Sequence, residues 1–321
     1  MPRIVRTRSR SLSRSTSADM ALSRRRAKGQ GRTRTRVERR RVHRDEGPIR
    51  RLLERDPLGG ILRTGPRIRP FRADGYLHVS DLVSKCLRKM ALAEANASPM
   101  PAQEIWDSQG ITFHLGEALH SYVINRFRDE EDTLFGAWKC LCGETRIEGP
   151  YTYGYVKEQG FTCEHCNQPV NVYDELTLRN ERLNLIGNVD AAFLRAGYLF
   201  IGEIKSINQK GWKELDRGPS PDYTVQVLLY WWMAREMGYK LFDHVSILYA
   251  AKDWMMTNPY REFIIKAEDN LHRISTHLEE AEELADFRFN NGPLPTRTMC
   301  PTIQSPHAKR CEFAEECFRE K

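Results

Sequence analysis

The sequence of 321 residues lacks several features that would place it in large classes of protein. Its longest apolar run, residues 225–234, is interrupted by Gln226 and falls short of the roughly 20 residues that cross a bilayer. It has no G-x-x-x-x-G-K-[ST] loop, which excludes an ATP-driven motor within this chain. It also has no internal repeat. What remains is a chain long enough for one large domain with a sizeable core.

Acidic residues are scarce near the amino terminus. Residues 1–70 hold 22 Lys and Arg against 6 Asp and Glu, a charge of +16, while the remainder carries −9. A segment so rich in Arg and Ser cannot bury enough apolar surface to fold alone, which predicts a disordered basic tail. We expect it to bind a nucleic-acid backbone through Arg24, Arg25, Arg26, Arg39, Arg40 and Arg41. A solvated tail without a role and a transit peptide are the alternatives.

The rest of the chain reads as a mixture of helices and strands. Helical patterns cover residues 81–95, 112–129, 222–237 and 267–287. Strand-like runs cover residues 172–178, 183–193, 198–206, 244–250 and 261–265. A linker at 66–72 precedes them. This order predicts an α/β domain over residues 76–321, in which residues 138–169 stand out as an insertion rich in Gly, Cys and Pro.

Three charged residues belong to two consecutive predicted strands. Glu203 and Lys205 are two residues apart and share one face of a strand, and a hairpin would bring Asp190 beside them. Two carboxylates can hold Mg²⁺ or Mn²⁺, which would polarise a phosphodiester while Lys205 orients water or steadies developing charge. An exposed cross-strand charge pair is the alternative, but the apolar neighbours of Glu203 predict a buried strand.

Further polar residues occur at suitable spacings on the flanking helices. His120 follows Gly116 by one helical turn, so a close backbone approach could bring an imidazole ligand to the site. Gln226 and Tyr230, at i and i+4, share one helix face and could contact a phosphate or the active-site lysine. Each of these residues taken alone would be interpreted as packing or surface.

The ordered pattern G-x-x-x-H, G-x-x-D, E-x-K and Q-x-x-x-Y resembles the RecB-like branch of the PD-(D/E)XK nuclease superfamily. The resemblance implies a restriction-endonuclease-like α/β core, with a mixed central sheet flanked by helices. It implies a metal-dependent deoxyribonuclease whose ligands are His120, Asp190, Glu203 and the Ile204 carbonyl. Lys205 would be the catalytic lysine, with Gln226 and Tyr230 assisting. Within the branch, the chain is most similar to CRISPR adaptation-associated exonucleases, their phage relatives and AddB-type nuclease domains.

Four cysteines lie near the two ends of the domain: Cys86, Cys300, Cys311 and Cys317. Four thiolates suit an iron–sulfur cluster. In the family that this chain resembles, one amino-terminal and three carboxy-terminal cysteines bind a [4Fe–4S] cluster that joins the chain ends. The usual close C-x-x-C pair is missing here, so zinc and unrelated free thiols remain alternatives.

The other four cysteines form two knuckles within the 138–169 insertion: Cys140, Cys142, Cys163 and Cys166. Their spacing predicts a zinc ribbon, because tetrahedral Cys₄ coordination would fold a segment with little apolar content. A redox C-x-x-C pair is the alternative. With all eight cysteines in two metal sites, a disulfide-bonded secreted protein is not expected.

Together these features predict a DNA-hydrolysing enzyme, expected to act as an exonuclease in recombination, repair or phage DNA processing. A non-catalytic DNA-binding or assembly scaffold that keeps the fold is the alternative. Expected partners are DNA and a separate helicase or recombination protein, and an oligomer is compatible with the family. The expected location is the cytoplasm, or the host cytoplasm if the protein is viral.

Overall fold

The fold is known from a computed structural model, which describes residues 4–6, 67–69, 74–96, 103–105, 107–252 and 257–319. The chain divides into two compact units, residues 1–7 with 67–321 and residues 8–66, and the described residues all belong to the first. The six arginines predicted to bind nucleic acid therefore lie outside the described residues. Within the segment 1–70 that was predicted to be disordered, residues 4–6 and 67–69 are paired in short strands.

Helices and strands alternate along the first unit. The strands are β1 (Ile4–Arg6), β2 (Arg67–Arg69), β3 (Leu77–His78), β4 (Gln103–Ile105), β5 (Phe135–Lys139), β6 (Thr145–Thr152), β7 (Val172–Asp174), β8 (Leu176–Asn180), β9 (Leu185–Val189), β10 (Ala191–Arg195), β11 (Tyr198–Ile207), β12 (His244–Ala251) and β13 (Tyr260–Lys266). The helices are α1 (Val79–Ser84), α2 (Leu87–Ala95), α3 (Asp107–Glu130), α4 (Tyr153–Gln159), α5 (Gln209–Glu214), α6 (Pro221–Glu236), α7 (Ala267–Asn270), α8 (Ser275–Asn290) and α9 (Ala314–Arg319).

The α/β prediction is confirmed at the level of mixed sheets and helices, but the expected central sheet is divided. One four-stranded sheet has the order β10-β11-β12-β13, with β11 and β12 parallel and the other pairs antiparallel. A three-stranded sheet has the order β3-β9-β8. The predicted strand 183–193 kinks at Asp190, so its first half, β9, and its second half, β10, belong to different sheets.

Helix α6 packs across both of these sheets and forms the centre of the core. Pro221 at its first turn, Asp222 near its start and Arg235 in its last turn are residues that favour these helix positions. Ten or more of its side chains are buried, which explains the apolar run that the sequence places at 225–234. Because α6 contacts β8 of one sheet and β11 and β12 of the other, it joins the two sheets through the core.

Two predicted helices are each broken in two. The helix expected at 81–95 is interrupted at Lys85 and Cys86, which are extended, and Cys86 caps α2. The helix expected at 267–287 is interrupted after Asn270, whose side-chain amide donates to the carbonyl of Lys266 and so competes with the helical backbone bonds. Periodicity alone did not reveal either break.

The cysteine-rich insertion is a small sheet with one helix. Strands β1, β6, β5 and β7 form an antiparallel sheet in that order, and α4 follows β6. Thr152 caps α4 by accepting from the Tyr155 N–H, and Gly160 ends it in the left-handed conformation. This sheet extends beyond the predicted boundaries, from residue 135 to residue 174.

Among the described helices, none has the length and apolar content needed to span a membrane.

Candidate active site

Asp190 lies at the kink where the chain leaves β9 and enters β10. The hairpin of β10 and β11 pairs Ala191 with Gly202, which places Asp190 beside the middle of β11. Asp190 Oδ2 accepts a 2.9 Å hydrogen bond from the backbone N–H of Ile204. This bond fixes the carboxylate against the strand that carries the E-x-K motif, as the hairpin geometry predicts.

Glu203 is 1% exposed, although it is an acidic residue. The Lys205 ammonium contacts its Oε1, but within the described ranges neither oxygen has a hydrogen bond of good geometry. Burial, and then the charge of Asp190, raise the pKa of Glu203 to about 8. A buried carboxylate in which one oxygen lacks a donor is suited to binding a cation.

Lys205 shares the buried site with two carboxylates. Burial alone would lower the pKa of its ammonium, but the negative charges of Glu203 and Asp190 outweigh that effect and raise it. The ammonium also lies 4.7 Å from the centre of the Tyr223 ring, within the range of a cation–π contact. Tyr223, on α6, therefore helps to position the lysine, and the sequence patterns did not identify it.

His120 reaches the site from α3, with its Nε2 3.4 Å from Asp190 Oδ1. Burial lowers the pKa of the imidazole, but the neighbouring Asp190 more than compensates and raises it above its ordinary value. The predicted role of Gly116 is apparent, because a Cβ atom there would lie 2.9 Å from Ser206 Oγ on β11. Without a side chain at Gly116, α3 can approach β11 closely and bring His120 to Asp190.

Glu175 is a further member of this group that the sequence patterns missed. One ligand atom from each of His120, Glu175 and Asp190 lies within 4.8 Å of the other two. Burial, followed by the charge of Asp190, raises the pKa of Glu175. The residue occupies the gap between β7 and β8, where one continuous strand was expected. The only signal in the sequence is an acid within an otherwise strand-like run.

Gln226 and Tyr230 lie together on α6 and are bonded to each other. Gln226 Nε2 donates a 2.8 Å hydrogen bond to Tyr230 Oη, and both residues are buried. Tyr230 packs against Gly187 so closely that a Cβ atom there would lie 2.6 Å from its ring. Gly187 is thus needed for this close packing. Burial raises the pKa of the Tyr230 hydroxyl, and the charges of Glu203 and Asp190 raise it further.

The donor set fits a hard divalent cation. Carboxylate oxygens are the ligands that Mg²⁺ and Mn²⁺ prefer, and an imidazole suits Mn²⁺ as well. His120 Nε2 contacts Asp190, and Glu203 Oε1 contacts Lys205, whereas Glu203 Oε2 is buried without a hydrogen-bond partner among the described residues. The charge of Asp190 raises the pKa values of both Glu175 and Glu203, so a cation among the three carboxylates would relieve a repulsion already present.

The four cysteines of the insertion converge on one point. Their Sγ atoms all lie within 4.8 Å of one another, with 3.1 Å between Cys140 and Cys142 and 3.7 Å between Cys142 and Cys163. Tetrahedral zinc with bonds of about 2.3 Å places its sulfur ligands about 3.8 Å apart, which the distance from Cys142 to Cys163 matches and the distance from Cys140 to Cys142 falls below. Thr145 donates its hydroxyl to Cys163 Sγ at 3.1 Å, which lowers the pKa of that thiol to about 6 and favours the thiolate.

The other four cysteines line a common cavity in which residues 300–317 lie against α2. Cys86, Cys300, Cys311 and Cys317 all face it, but they are not among the groups whose ligand atoms come within 4.8 Å. Burial raises the pKa of Cys86, and the charges of the other three thiols raise it further.

Polar contacts hold the carboxy-terminal segment against α2 independently of any metal. Arg88 is buried and donates to the carbonyls of Leu294, Pro295 and Cys317. Lys89 forms a 2.9 Å ion pair with Glu312. Cys86 lies at the break between α1 and α2. The contacts of Arg88 and Lys89 already join this part of the chain to the carboxy-terminal segment.

No protein-family model and no curated protein matches the chain. Among solved structures, SSO0001 is similar at 13% identity and a TM-score of 0.30, over 78% of this chain and 99% of that one. The alkaline exonuclease LHK-Exo from Laribacter hongkongensis is similar at 11% identity and a TM-score of 0.37. The complex of LHK-Exo with dAMP is similar at 12% identity and a TM-score of 0.38. Both LHK-Exo comparisons cover 68% of this chain and 93% of that one. These are distant likenesses of fold.

Proposed function

We propose that this chain is a divalent-cation-dependent deoxyribonuclease of the PD-(D/E)XK type. The observation that supports it best is the meeting of Asp190 and Glu203 beside Lys205, with a buried Oε2 of Glu203 that has no hydrogen-bond partner among the described residues. A structural ion pair would be expected to saturate its buried oxygens, because leaving them bare costs free energy. A cation-binding site, in contrast, needs carboxylate oxygens that are free to bind the ion.

The proposed ligands are His120, Asp190, Glu203 and the backbone carbonyl of Ile204. The structure adds Glu175, because its carboxylate joins the group of His120 and Asp190. Asp190 is central to this ligand set. Its Oδ2 accepts a hydrogen bond from the Ile204 N–H, and its Oδ1 faces His120. The bound Mg²⁺ or Mn²⁺ would polarise the scissile phosphodiester and lower the pKa of water in the site.

Among the described residues, Lys205 supplies a cation beside Glu203. Its ammonium is held between the Glu203 carboxylate and the face of Tyr223, so it stays within reach of the carboxylates while remaining partly exposed. From there it would orient the attacking water and stabilise the charge that develops on the phosphate oxygens. Gln226 and Tyr230 support the site from α6 through their mutual hydrogen bond.

DNA is the proposed substrate, and the charge distribution gives the basic tail a role in holding it. Residues 71–321 carry −9 and would repel a phosphate backbone, whereas residues 1–70 carry +16. The tail would supply salt-dependent attraction that the rest of the chain lacks. A separate helicase or recombination protein is a compatible partner, and exonuclease action is the proposed mode.

Two structural metal sites complete the proposal. The Cys140, Cys142, Cys163 and Cys166 group would hold Zn²⁺ and order the insertion. The Cys86, Cys300, Cys311 and Cys317 group would hold a [4Fe–4S] cluster, because its thiols share a cavity without closing on a single ion. Anaerobically purified protein should then contain both zinc and iron.

The nuclease proposal is tested with end-labelled single- and double-stranded DNA in Mg²⁺ or Mn²⁺. The wild type is expected to release label, and Glu203→Gln, purified in the same way, is expected to release none above background. Gln preserves the shape of the buried side chain but removes the charge that a cation needs. Equal rates for the two proteins would overturn the site. DNA binding without cleavage by either would favour a non-catalytic scaffold, and the product ladder separates exonuclease from endonuclease action.

The tail proposal predicts a change in salt dependence. Replacing the six arginines at positions 24–26 and 39–41 by Ser should weaken DNA binding and flatten the plot of log affinity against log salt. If all six contact phosphates of a duplex, the slope falls by about 5. The matched variant with six Lys keeps the charge and should keep the slope. Identical slopes for the Ser variant and the wild type would remove the tail from DNA binding.

A further inference from the structure

One face of the sheet β10-β11-β12-β13 is only partly covered. Its other face packs on α6, whereas α3 covers this one near Ala191 and Ile204, and the described residues leave a further part of it open. The uncovered part is a cavity of about 400 Å³. This volume lies within the range of small-molecule sites in proteins. We call it the aromatic cavity, after the residues that form its wall.

Aromatic rings surround this space. Phe193 and Phe200 have centroids 6.3 Å apart, Phe200 and Phe242 are 6.2 Å apart, and the His244 imidazole lies 5.5 Å from Phe200. Phe127 of α3 closes one side, 5.4 Å from Phe193. These rings come from β10, β11, α3 and the residues around the start of β12, so the tertiary fold alone assembles them.

A glycine lies among these rings. Gly202 on β11 lines the cavity, and a Cβ atom there would have its nearest neighbour, the Ala191 carbonyl oxygen, at 3.5 Å. The strand would thus accept a small side chain at this position without strain. Packing with the rest of the protein does not require Gly202, so its lack of a side chain keeps space open in the cavity.

Polar groups occupy one side of the cavity. Ser246 is 3% exposed and donates its hydroxyl to Glu262 Oε1, while the other oxygen of this exposed carboxylate can accept from a ligand. Arg195 lies at the rim, 2.8 Å from Glu131 and over the Phe193 ring. A wall of aromatic faces with an acceptor and a guanidinium at its edge differs from a purely apolar groove.

The aromatic cavity lies next to the candidate metal site. Ile204, between Glu203 and Lys205, lines it, and so does Ala191, which follows Asp190. On α3, Phe127 is seven residues beyond His120, so both side chains point to the same side of the helix about 10 Å apart. At about 3.4 Å per nucleotide along a stacked strand, that distance corresponds to roughly three nucleotides.

We propose that the aromatic cavity receives a single unstacked nucleobase of the strand whose phosphate lies at the Asp190 site. The inference rests on the proposed function and adds a base subsite to it. Stacking on the Phe and His faces would supply affinity without strong sequence preference. Glu262 would favour bases with an amino group, namely adenine, guanine and cytosine, because its carboxylate can only accept hydrogen bonds when ionised.

The test uses the full-length wild-type protein with Ca²⁺ in place of Mg²⁺ or Mn²⁺ and without a chelator, so that binding is observed without cleavage and the cysteine sites keep their metals. Short single-stranded oligonucleotides carry 2-aminopurine at one position each, and overall binding is followed separately by fluorescence anisotropy of an end label. We expect the 2-aminopurine emission to change on binding at one position, or two adjacent ones, because a base there leaves the strand stack and enters the cavity. Positions outside the subsite should change much less.

Two variants probe the cavity and one is a matched control. Gly202→Val fills the cavity, and Phe242→Leu removes an aromatic face while keeping most of its volume. Each should abolish the position-specific signal and weaken oligonucleotide binding about fivefold or more. Phe289→Leu makes the same exchange at an exposed position on α8 and should leave both unchanged. Unaltered thermal unfolding of each variant shows that the fold is retained, and Gly202→Ala is the fallback if Val destabilises the strand.

The outcomes separate the cavity from the nuclease proposal. Oligonucleotide binding without a position-specific signal, or a signal that survives in both cavity variants, overturns the base subsite and leaves the metal site standing. Metal-dependent cleavage by the wild type with affinity unchanged in Gly202→Val leads to the same conclusion. Absence of both oligonucleotide binding and cleavage overturns the proposed function and the subsite with it.

Discussion

Asp190→Asn is expected to lower the rate of Mn²⁺-dependent DNA hydrolysis by about 10³-fold or more. Asp190 is the residue that His120, Glu175 and the Ile204 N–H all approach, so it lies at the centre of the candidate site. An Asn oxygen can still accept the 2.9 Å bond from Ile204, which preserves the local backbone. The charge needed to hold a cation is lost.

A second readout distinguishes this role from a structural one. Because Asp190 repels Glu175 and Glu203 but attracts His120 and Lys205, these effects oppose each other, and its neutralisation should change the melting temperature of the metal-free protein little. Mn²⁺ affinity, measured by calorimetry, should fall in parallel with activity. A variant that loses activity by unfolding would show a lower melting temperature instead.

Asp174→Asn is the matched control for Asp190→Asn. Asp174 is a neighbouring acid, but it pairs with Lys139 and Arg146 at 3.2 and 3.0 Å and belongs to the sheet of the insertion. Its neutralisation should change the cleavage rate only a few-fold, since these partly exposed ion pairs contribute little. Equal activity loss in the two variants would contradict the assignment of Asp190 as the central ligand.

Cys163→Ser is expected to have the largest effect on stability, by releasing zinc from the insertion. Cys163 is fully buried and its Sγ lies near Thr145 and Cys142, so a Ser there would leave the other thiols without a complete ligand set. Loss of a structural metal commonly costs more than about 4 kcal/mol. Zinc content by elemental analysis should fall to near zero, and limited proteolysis should cut first within residues 135–174.

Cys86→Ser provides the reciprocal comparison. It should remove iron and the broad visible absorbance of the protein while leaving zinc at one per chain. The contacts of Arg88 and Lys89 should keep the carboxy-terminal segment attached, so we expect a smaller loss of stability than in Cys163→Ser. Loss of zinc in Cys86→Ser, or two zinc ions and no iron in the wild type, would contradict the assignment of the two cysteine groups.

Local pattern was sufficient to predict which residues meet in much of the candidate site, because these residues occur at short, regular spacings. Residues two apart on a strand must share a face, which is why Glu203 and Lys205 could be paired from sequence. The two strands of a hairpin lie side by side, so the sequence also predicted that Asp190 lies beside them. The two knuckles of the insertion were recognisable because zinc constrains both ligand type and ligand spacing.

Long-range placement was not accessible in the same way. Glu175 joins the site because β7 and β8 are separated by one residue, and Tyr223 contacts Lys205 because α6 crosses β11. Neither residue belongs to a motif with a fixed spacing. Gln226 and Tyr230 were expected near a phosphate or the lysine, whereas their observed hydrogen bond is to each other. Such contacts depend on how separate elements pack.

Periodicity, spacing and composition were enough to predict the helix and strand content, the E-x-K strand, the two cysteine groups and the contrast between a basic tail and an acidic remainder. All of these are local properties of the chain. Three features became apparent only in the folded protein: the strand through Asp190 belongs to two sheets, Glu175 joins the candidate site, and rings from four separate segments enclose the aromatic cavity. Burial and packing between distant segments set these positions, and no local pattern encodes them.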